Sequence, residues 1–454
     1  MGGMSTAVDI ASLLDNGRWT AYQKALTAMS ALAIIFDGFD IQILGFAIPS
    51  LMKEWGLARP AFGPVLALGL AGMVAGSPVA GYLGDRFGRR PALIGSLTLF
   101  SLATLATSFV NSIMALAVLR FITGLGTGGT LPNASALVAE FAPLRRRTTA
   151  MNLTIVCIPL GGMLGGVIAA ALLPTLGWRA LYLVGGGLPL AFIALLWVLL
   201  PESPRFLVQD PRNWPALERL LRRMGRSVPP HSTFQDRKER KPHGRTPISA
   251  LLGSAYLRDT MGLWLAFLFC LGGIYLVFGW LPGMLTSQGL DIASASQALA
   301  VYNLGGVFGV FLWATLMNAL GSRGPLLSGA LAASGSALAI LLVPIESRGS
   351  HTLLWGALAL NGLLSNAVQT SMYALAAHVY PTSIRASGIA YAAAAGRAGG
   401  IVSSICGASI ISMGRSGYWL ALAGSMIIAF AGLAWVRSHF PAIGRVEPNL
   451  RRVE

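Results

Sequence analysis

Two aspartates lie inside a stretch of chain that otherwise carries no charge. Asp37 and Asp40 interrupt an apolar run from about residue 25 to residue 51, which is long enough to cross a bilayer as a helix. A carboxylate in hydrocarbon costs several kcal/mol unless it faces a cavity, a partner or a proton. Residues three apart project from one face of a helix, so the two acids share a face. The pattern predicts a protein that moves ions or solutes, in which Asp37 and Asp40 exchange protons.

Two arginines also lie inside apolar runs. Arg120 sits about two turns inside its run, and we expect it to modulate the proton site by pairing with Asp37 or Asp40; the alternative is that it reaches out to the membrane surface. Arg397 has small neighbours and no acid nearby in the sequence. Because a guanidinium group binds a carboxylate through two hydrogen bonds, Arg397 is predicted to hold an anionic substrate, and the alternative is a structural pair with an internal acid. Phe39 and Asp40 are predicted to join it in substrate binding, Phe39 by stacking on a ring.

The composition is that of an integral membrane protein. The chain has 454 residues, of which 54% are hydrophobic and 11% charged, and its mean hydropathy is +0.66. Soluble chains carry about 25% charged residues. Short polar loops separate twelve apolar runs of spanning length, and their boundaries follow. They are about 25–51, 61–83, 91–110, 113–138, 149–173, 179–200, 259–286, 295–319, 325–344, 352–377, 388–412 and 417–436.

The formal net charge of +16 reflects topology and not nucleic-acid binding. With the N-terminus in the cytoplasm and twelve spans alternating from there, most of the 33 Lys and Arg residues fall on the cytoplasmic side. This is the positive-inside asymmetry. It predicts a multi-pass membrane protein, surrounded by lipid, with both termini in the cytoplasm.

The spans divide six and six around a long polar interval. The predicted domains are a cytoplasmic segment 1–24, a six-helix bundle 25–200, a cytoplasmic loop 201–258, a second bundle 259–437 and a tail 438–454. Within the loop, residues 214–226 form either a short helix on the inner membrane surface or, as we favour, part of a solvated linker.

The two halves resemble each other in sequence. Residues 85–91 align with the segment that begins at Asn318 at an offset of 233, while Glu140 and Arg147 align with His378 and Arg385 at an offset of 238. Six spans per half insert both halves in the same sense. The predicted fold is therefore all-α, with twelve transmembrane helices in two halves related by a pseudo-twofold axis along the membrane normal.

The segment from Gly81 to Pro91 closely resembles the signature loop of the major facilitator superfamily. Its glycines permit tight turns and close helix approach, and Asp85 can pair with cationic groups or a helix N-terminus of the other half. We expect the loop to hold the cytoplasmic side shut, with an asymmetric gate because Asn318 replaces the acid in the second half. The predicted gating residues are Gly81, Gly84, Asp85, Arg86, Gly88, Arg89, Arg90, Glu140, Arg147, Asn318, Arg323 and Arg385.

The element Asp37-Gly38-Phe39-Asp40, together with Arg120, the signature loop and Arg397, is similar to the aromatic acid:proton symporter branch of that superfamily. Its members take up benzoate-like, hydroxybenzoate-like and phenylpropionate-like acids into bacteria. The resemblance covers essentially all twelve spans. It implies that the two aspartates take part in proton coupling and that Arg397 is a functional residue.

These features predict uptake of a small aromatic carboxylate with protons, by alternating access of a protein that works as a monomer. An anion entering against an inside-negative potential loses about 2.3 kcal/mol per 100 mV, and one accompanying proton cancels that penalty. The rivals are a facilitator for another organic anion, such as a dicarboxylate or nicotinate, an exporter, and a membrane sensor. No metal-ligand cluster and no nucleophile–base pair is visible in the sequence, so we expect no enzyme, no cofactor and no metal.

Overall fold

Twelve long helices account for most of the chain. The computed structural model describes residues 7–226, 228–229, 232–236, 248–345, 351–381 and 384–442. The long helices are α1 Ala21–Trp55, α2 Phe62–Phe87, α3 Arg89–Thr107, α4 Ile113–Phe141, α5 Leu144–Leu172, α6 Gly177–Leu199, α7 Leu257–Ser287, α8 Ile292–Leu320, α9 Arg323–Ile340, α10 Thr352–Val379, α11 Arg385–Ser412 and α12 Gly414–Trp435. Each predicted span falls on one of them. Within the described residues, nine helices are both long and apolar enough to cross a membrane.

The helices form because a chain in hydrocarbon must satisfy its backbone hydrogen bonds internally. Prolines are tolerated inside several of them, including Pro49 in α1 and Pro282 in α7, which match at the offset of 233. At the ends, side chains replace the missing backbone partners. The Ser112 hydroxyl accepts from Ala115 N at 3.2 Å at the start of α4, and Asp291 accepts from Ser294 N at 2.9 Å at the start of α8.

Glycines let corresponding helix pairs of the two halves cross closely. An added methyl group at Gly161 of α5 would meet the Ile35 carbonyl oxygen of α1, and one at Gly399 of α11 would meet the Leu268 carbonyl oxygen of α7. These two contacts are related by the same offsets of 233 and 238 that the sequence shows. The crossing of α2 with α4 and that of α8 with α10 correspond in the same way. There Gly72 faces the Phe121 carbonyl and Gly305 faces the Ala359 carbonyl.

The chain forms two compact units that cut across these halves. Unit 1 comprises Met1–Ile41, Ala71–Gly161 and Tyr182–His243, and unit 2 comprises Gln42–Leu70, Gly162–Leu181 and Gly244–Glu454. Unit 2 therefore contains the predicted outer ends of α1, α2, α5 and α6 together with the second half. The predicted domain boundaries at residues 200 and 258 stay a prediction.

The described parts of the N-terminal segment and of the central loop up to residue 236 belong to unit 1. Strands β1 Ala7–Asp9 and β2 Thr233–Gln235 pair in parallel, and short helices cover Ile10–Asp15 and Trp214–Arg223. Their apolar side chains pack in one cluster with those of α3, α4 and α6. The cluster includes Ile10, Leu14, Leu217, Leu221, Phe234, Leu93, Phe100 and Leu196. The solvated-linker interpretation is therefore wrong for these residues, while positions 227, 230–231 and 237–247 of the loop lie outside the described residues.

Candidate functional site

Asp40 lies in the interior of unit 1, where helices α1, α3 and α4 meet, and its exposed fraction is 3%. The Thr104 hydroxyl of α3 donates to Asp40 Oδ1 at 2.5 Å. Arg120 of α4 places its Nη2 atom 3.7 Å from the same oxygen, and its Nη1 atom donates to the Asp40 carbonyl at 3.4 Å. The structure thus brings the predicted partners Asp40 and Arg120 together and adds a hydroxyl group.

Arg120 is an internal residue that does not reach the membrane surface. Its exposed fraction is 5%, and its guanidinium carbon lies 5.2 Å from the centre of the Tyr182 ring at the start of α6. Within the described residues, its Nε and Nη2 atoms have no hydrogen-bond acceptor. The cation therefore depends on the charge of Asp40 and on the Tyr182 ring for its compensation.

Asp37 and Phe39 flank a close approach of α1 to α5 at Gly38. Both are buried, Asp37 one turn before Asp40. A methyl group added at Gly38 would overlap the Ile158 carbonyl oxygen of α5. The glycine of the Asp-Gly-Phe-Asp element therefore serves helix packing, as close interhelical contacts require small residues. The proton-coupling and ring-stacking roles stay predictions.

Arg397 lies half-buried on α11 in unit 2. Among the described residues it takes part in no hydrogen bond or ion pair, so the structural pair with an acid is not seen there. Its charge lies close to the Tyr373 hydroxyl group of α10. The Tyr373 ring in turn packs edge-on against Phe267 of α7, with the ring centres 5.0 Å apart. Arg397 is thus a cation whose charge acts on the Tyr373 hydroxyl group, while Phe39 and Asp40 belong to unit 1.

The turn between α2 and α3, residues 85–90 and here called the first-half turn, is built from charges. Asp85 pairs with Arg89 of the same turn, and Arg89 Nε lies 3.9 Å from Glu140 Oε1 of α4. Glu202 Oε1 accepts from the backbone N–H groups of Arg89 at 3.0 Å and Arg90 at 3.2 Å. The Glu202 carboxylate therefore caps the N-terminus of α3, where a negative charge is favoured.

Burial raises the pKa of the Glu202 carboxyl group, and the nearby Glu140 raises it further, while hydrogen bonds from the backbone N–H groups of Ser203, Arg90 and Arg89 lower it. The net direction is upward. The Ser203 hydroxyl also donates to Glu140, which links the two acids.

The other predicted gating residues of the first half have separate contacts. Gly84 packs against the Asn133 side chain, whereas Gly81 has open space around it. Arg86 donates to the Tyr82 hydroxyl at 2.7 Å, and Arg90 donates to the Trp197 carbonyl at 2.5 Å. Arg147 pairs with Asp15 of the N-terminal segment at 2.5 Å, a partner that the sequence did not indicate.

The turn between α8 and α9, residues 318–323, is here called the second-half turn. It has neutral residues at the positions that match Asp85, Arg86 and Arg89, while an arginine, Arg323, stands at the position of Arg90. Gly88 and Gly321 both have a positive φ, 108° and 79°. The Phe440 carbonyl accepts a hydrogen bond from Ser322 N at 3.0 Å. At the matching position of the first half, Arg89 N donates instead to the Glu202 carboxylate. Asn318 and Arg323 are exposed, and Arg385 donates to the Tyr380 carbonyl at 3.2 Å.

Sequence reasoning missed two contributors to the membrane-embedded sites: Thr104 and Tyr182. Buried hydroxyl residues at Ser101 and Thr104 mark one face of α3, and Ser108 at its C-cap continues the spacing, which is the signal that would have found Thr104. In the part of the chain that the structure describes, no group of three His, Cys, Asp or Glu side chains could hold a metal ion.

Comparison with known proteins decides the family. The sequence model of the Major Facilitator Superfamily matches residues 30–355 and 263–451. The chain belongs to the major facilitator superfamily. Its fold agrees, since the inward open conformation of the xylose transporter XylE from Escherichia coli superposes with a TM-score of 0.71 at 18% identity, covering 91% of this chain and 96% of that one. The predicted all-α twelve-helix fold is confirmed.

Within the superfamily, this facilitator is similar to transporters named for aromatic acids. It is 36% identical to the gallate transporter of Pseudomonas putida over 90% of both chains. It is 32% identical to the 4-hydroxybenzoate transporter PcaK of the same species, again over 90% of both. It is 30% identical to the 3-(3-hydroxy-phenyl)propionate transporter of Escherichia coli over 89% of this chain and 91% of that one. The facilitator therefore belongs to the family of these aromatic acid transporters, and it is a multi-pass membrane transporter and not an enzyme.

Proposed function

We propose that this facilitator takes up a small aromatic carboxylate together with protons across the bacterial inner membrane. Both termini lie in the cytoplasm, and the monomer is the working unit. The observation that carries the proposal is the buried pair of Asp40 and Arg120 inside a membrane helix bundle. The names of its relatives support the aromatic acid as the cargo.

Asp40 is the proposed proton carrier, with Asp37 beside it. Its carboxylate accepts one hydrogen bond from a hydroxyl group and forms one ion pair at 3.7 Å. Protonation of Asp40 therefore disrupts few interactions. Protonation removes the partner of the Arg120 cation, which is costly to leave uncompensated in a low-dielectric interior. The protonated and charged states therefore favour different arrangements of α1 and α4, which is what coupling requires.

Arg397 is the proposed anchor of the substrate carboxylate. A half-buried guanidinium without another acid partner in the described residues has its fork of donors available for a bidentate contact. The Tyr373 and Phe267 rings, which pack edge-on against each other, are the apolar surface that we propose for the benzene ring of the substrate. Phe39 is the ring contact that we propose from the first half.

The two turns are the proposed cytoplasmic gate of an alternating-access cycle. In the first half the gate would consist of Gly81, Gly84, the first-half turn, Glu140 and Arg147. In the second half it would consist of Asn318, Arg323 and Arg385.

An uptake panel in proteoliposomes tests the function. We expect gallate, 4-hydroxybenzoate and benzoate to accumulate when the outside is made acidic, and unlabelled aromatic acids to compete. Accumulation of only nicotinate or an aliphatic dicarboxylate would instead establish one of the rival anions. Movement only out of the cytoplasmic side would establish an exporter, and absence of transport with intact binding would favour a sensor.

A further inference from the structure

Two amide side chains bond each other deep inside unit 2. Gln42 Nε2 donates to Asn303 Oδ1 at 3.1 Å, and Asn303 Nδ2 donates back to Gln42 Oε1 at 2.8 Å. Both residues have an exposed fraction of 0%. Asn303 Nδ2 also donates to the Leu299 carbonyl of its own helix at 2.9 Å. The pair is thus a reciprocal, dry contact between α1 and α8.

Around this contact, α1 and α5 of the first half pack closely against α7 and α8 of the second half. A methyl group at Gly162 of α5 would meet the Gln42 side chain, which shows how tightly α5 confines it. One turn further, Gly166 of α5 faces Ala300 of α8, and Gly45 of α1 faces the Phe278 carbonyl of α7. All these residues belong to unit 2. The predicted outer ends of the first-half helices are therefore closed against the second half around this pair.

We propose that Gln42 and Asn303 form a latch that holds the outer end shut and that breaks each time this end opens. The inference rests on the proposed alternating access, because opening must separate α1 from α8. In the closed state each amide satisfies the other, and in the open state water does so. A bond whose partners are satisfied in both states can hold a transporter closed without trapping it, since net buried hydrogen bonds are weak.

The latch is also placed to receive the signal from the proton site. Gln42 follows Asp40 by two residues on α1, so a movement of α1 driven by protonation of Asp40 reaches the latch directly. An amide does not titrate, so Gln42 is a positioning residue and Asp40 supplies the dependence on protons.

A cysteine reporter can test the latch without any substrate. Ser404 of α11 is 3% exposed, and its carbonyl accepts from Trp280 Nε1 at 3.1 Å beneath Gly63 of α2 in the same closed region. Ser404→Cys, in a protein whose three native cysteines are replaced by alanine, is labelled in proteoliposomes by a membrane-impermeant thiol reagent. The rate of labelling measures how often the outer end opens.

We expect Gln42→Leu and Asn303→Leu each to raise this rate about tenfold, because the remaining amide then has a buried polar atom without its partner until the end opens: the oxygen of Asn303, or both polar atoms of Gln42. The double variant should raise it less than the product of the singles, since neither amide then needs water. The swap Gln42→Asn with Asn303→Gln should return the rate toward that of the parent.

Asn361→Leu is the matched control. Asn361 is equally buried, but its amide donates to the Ala333 carbonyl at 3.0 Å and to Ser336 at 2.8 Å, within the second half. Equal labelling in this control and in Gln42→Leu, or no change in either single latch variant, would overturn the latch. Failure of the uptake panel would instead overturn the cargo or the proton coupling, and the labelling rates would still stand.

Discussion

The two halves of the repeat carry the same glycine crossings but different charges. In the first half, Asp40 and Arg120 form a buried ion pair between α1 and α4. The corresponding positions of α7 and α10, at offsets of 233 and 238, hold Gly273 and Leu358. The scaffold therefore does not need the pair, since the second half crosses its helices without one. This difference favours a functional explanation for the charges of the first half.

Arg397 shows the opposite asymmetry between the two halves. Arg397 of α11 corresponds to Pro159 of α5, so only the second half carries it. One half thus holds a cation with an anion, and the other holds a cation that lacks an acid partner among the described residues. This division is what we expect if proton exchange takes place in one half and anion binding in the other, as we propose, with rocking of the halves coupling them.

The largest expected effect on transport comes from removing the negative charge of the buried ion pair, because the second half carries no charge at the corresponding position. Asp40→Asn should abolish proton-driven accumulation while exchange of substrate across the membrane continues. Loss of one accompanying proton lowers the accumulation ratio by about 50-fold at 100 mV, because one charge in that potential is worth about 2.3 kcal/mol. Accumulation and exchange of a labelled aromatic acid in the same proteoliposomes give the two readouts.

The single variant leaves the Arg120 cation buried alone, which could cost about 3–5 kcal/mol of stability. The double variant Asp40→Asn with Arg120→Gln removes the pair and serves as its control. Undiminished accumulation in both variants would show that Asp40 does not carry the proton. The same test on Asp37→Asn decides whether the second aspartate shares the role.

The next effect concerns the cation of the second half. Arg397→Ala should raise the KM for an aromatic acid by at least about 30-fold, because truncating one partner of a desolvated charge pair costs about 2 kcal/mol or more. Competition by the matching amide, which lacks the carboxylate, should change little. Arg258→Ala, at an exposed arginine of α7 outside the proposed site and gate, is the control. An unchanged ratio of acid to amide affinity in Arg397→Ala would remove its role as the anchor.

Much of this architecture could be predicted because its signals are large. Runs of spanning length and two constant offsets fix the helices and the repeat, and a charge in hydrocarbon restricts Arg120 to few partners, of which Asp40 is one. The mutual contact of Gln42 and Asn303 could not be predicted. Neutral polar residues are common in membrane helices, and their partners depend on helix rotation, which the sequence does not show.

The interpretation of residues 214–226 as a solvated linker was wrong for a different reason. Its basic residues suggested a solvated segment, yet Leu217, Leu220 and Leu221 are spaced three and four apart and form an apolar stripe on the helix Trp214–Arg223. That periodicity indicates a buried face. The abundance of arginine concealed a signal that was present.

A smaller effect should follow from exchanging the gate residues between the two turns. Asp85→Asn gives the first-half turn the residue of the second, and because the Asp85 side chain is largely exposed, we expect uptake to slow by at most about fivefold. Asn318→Asp should change uptake less, since Ser322 stands where Arg89 pairs with Asp85. A larger loss in Asn318→Asp than in Asp85→Asn would reverse the proposed asymmetry of the gate.

The smallest expected effect is a difference in how the stability contributions of the two helix caps, Glu202 at α3 and the Phe440 carbonyl at α9, depend on pH. Burial raises the pKa of Glu202 above the value of 4.5 that it has in an unfolded chain. The folded protein therefore holds this proton more tightly, so the stabilisation is complete below the unfolded pKa and is lost as the pH rises through the raised folded pKa. The cap of the second half is the Phe440 carbonyl, which does not titrate.

The difference in Tm between the parent and Glu202→Gln should therefore fall by about 1–2 °C as the pH rises from about 4 to about 8. Asn318→Ala, an exposed neutral change at the second-half turn, should give a difference that is flat over the same range. Thermal unfolding of purified protein, measured at several pH values, provides both differences. A difference for Glu202→Gln that grows with pH would mean that the backbone N–H groups of Arg89 and Arg90 outweigh burial, and the first-half cap would then be strongest when it is charged.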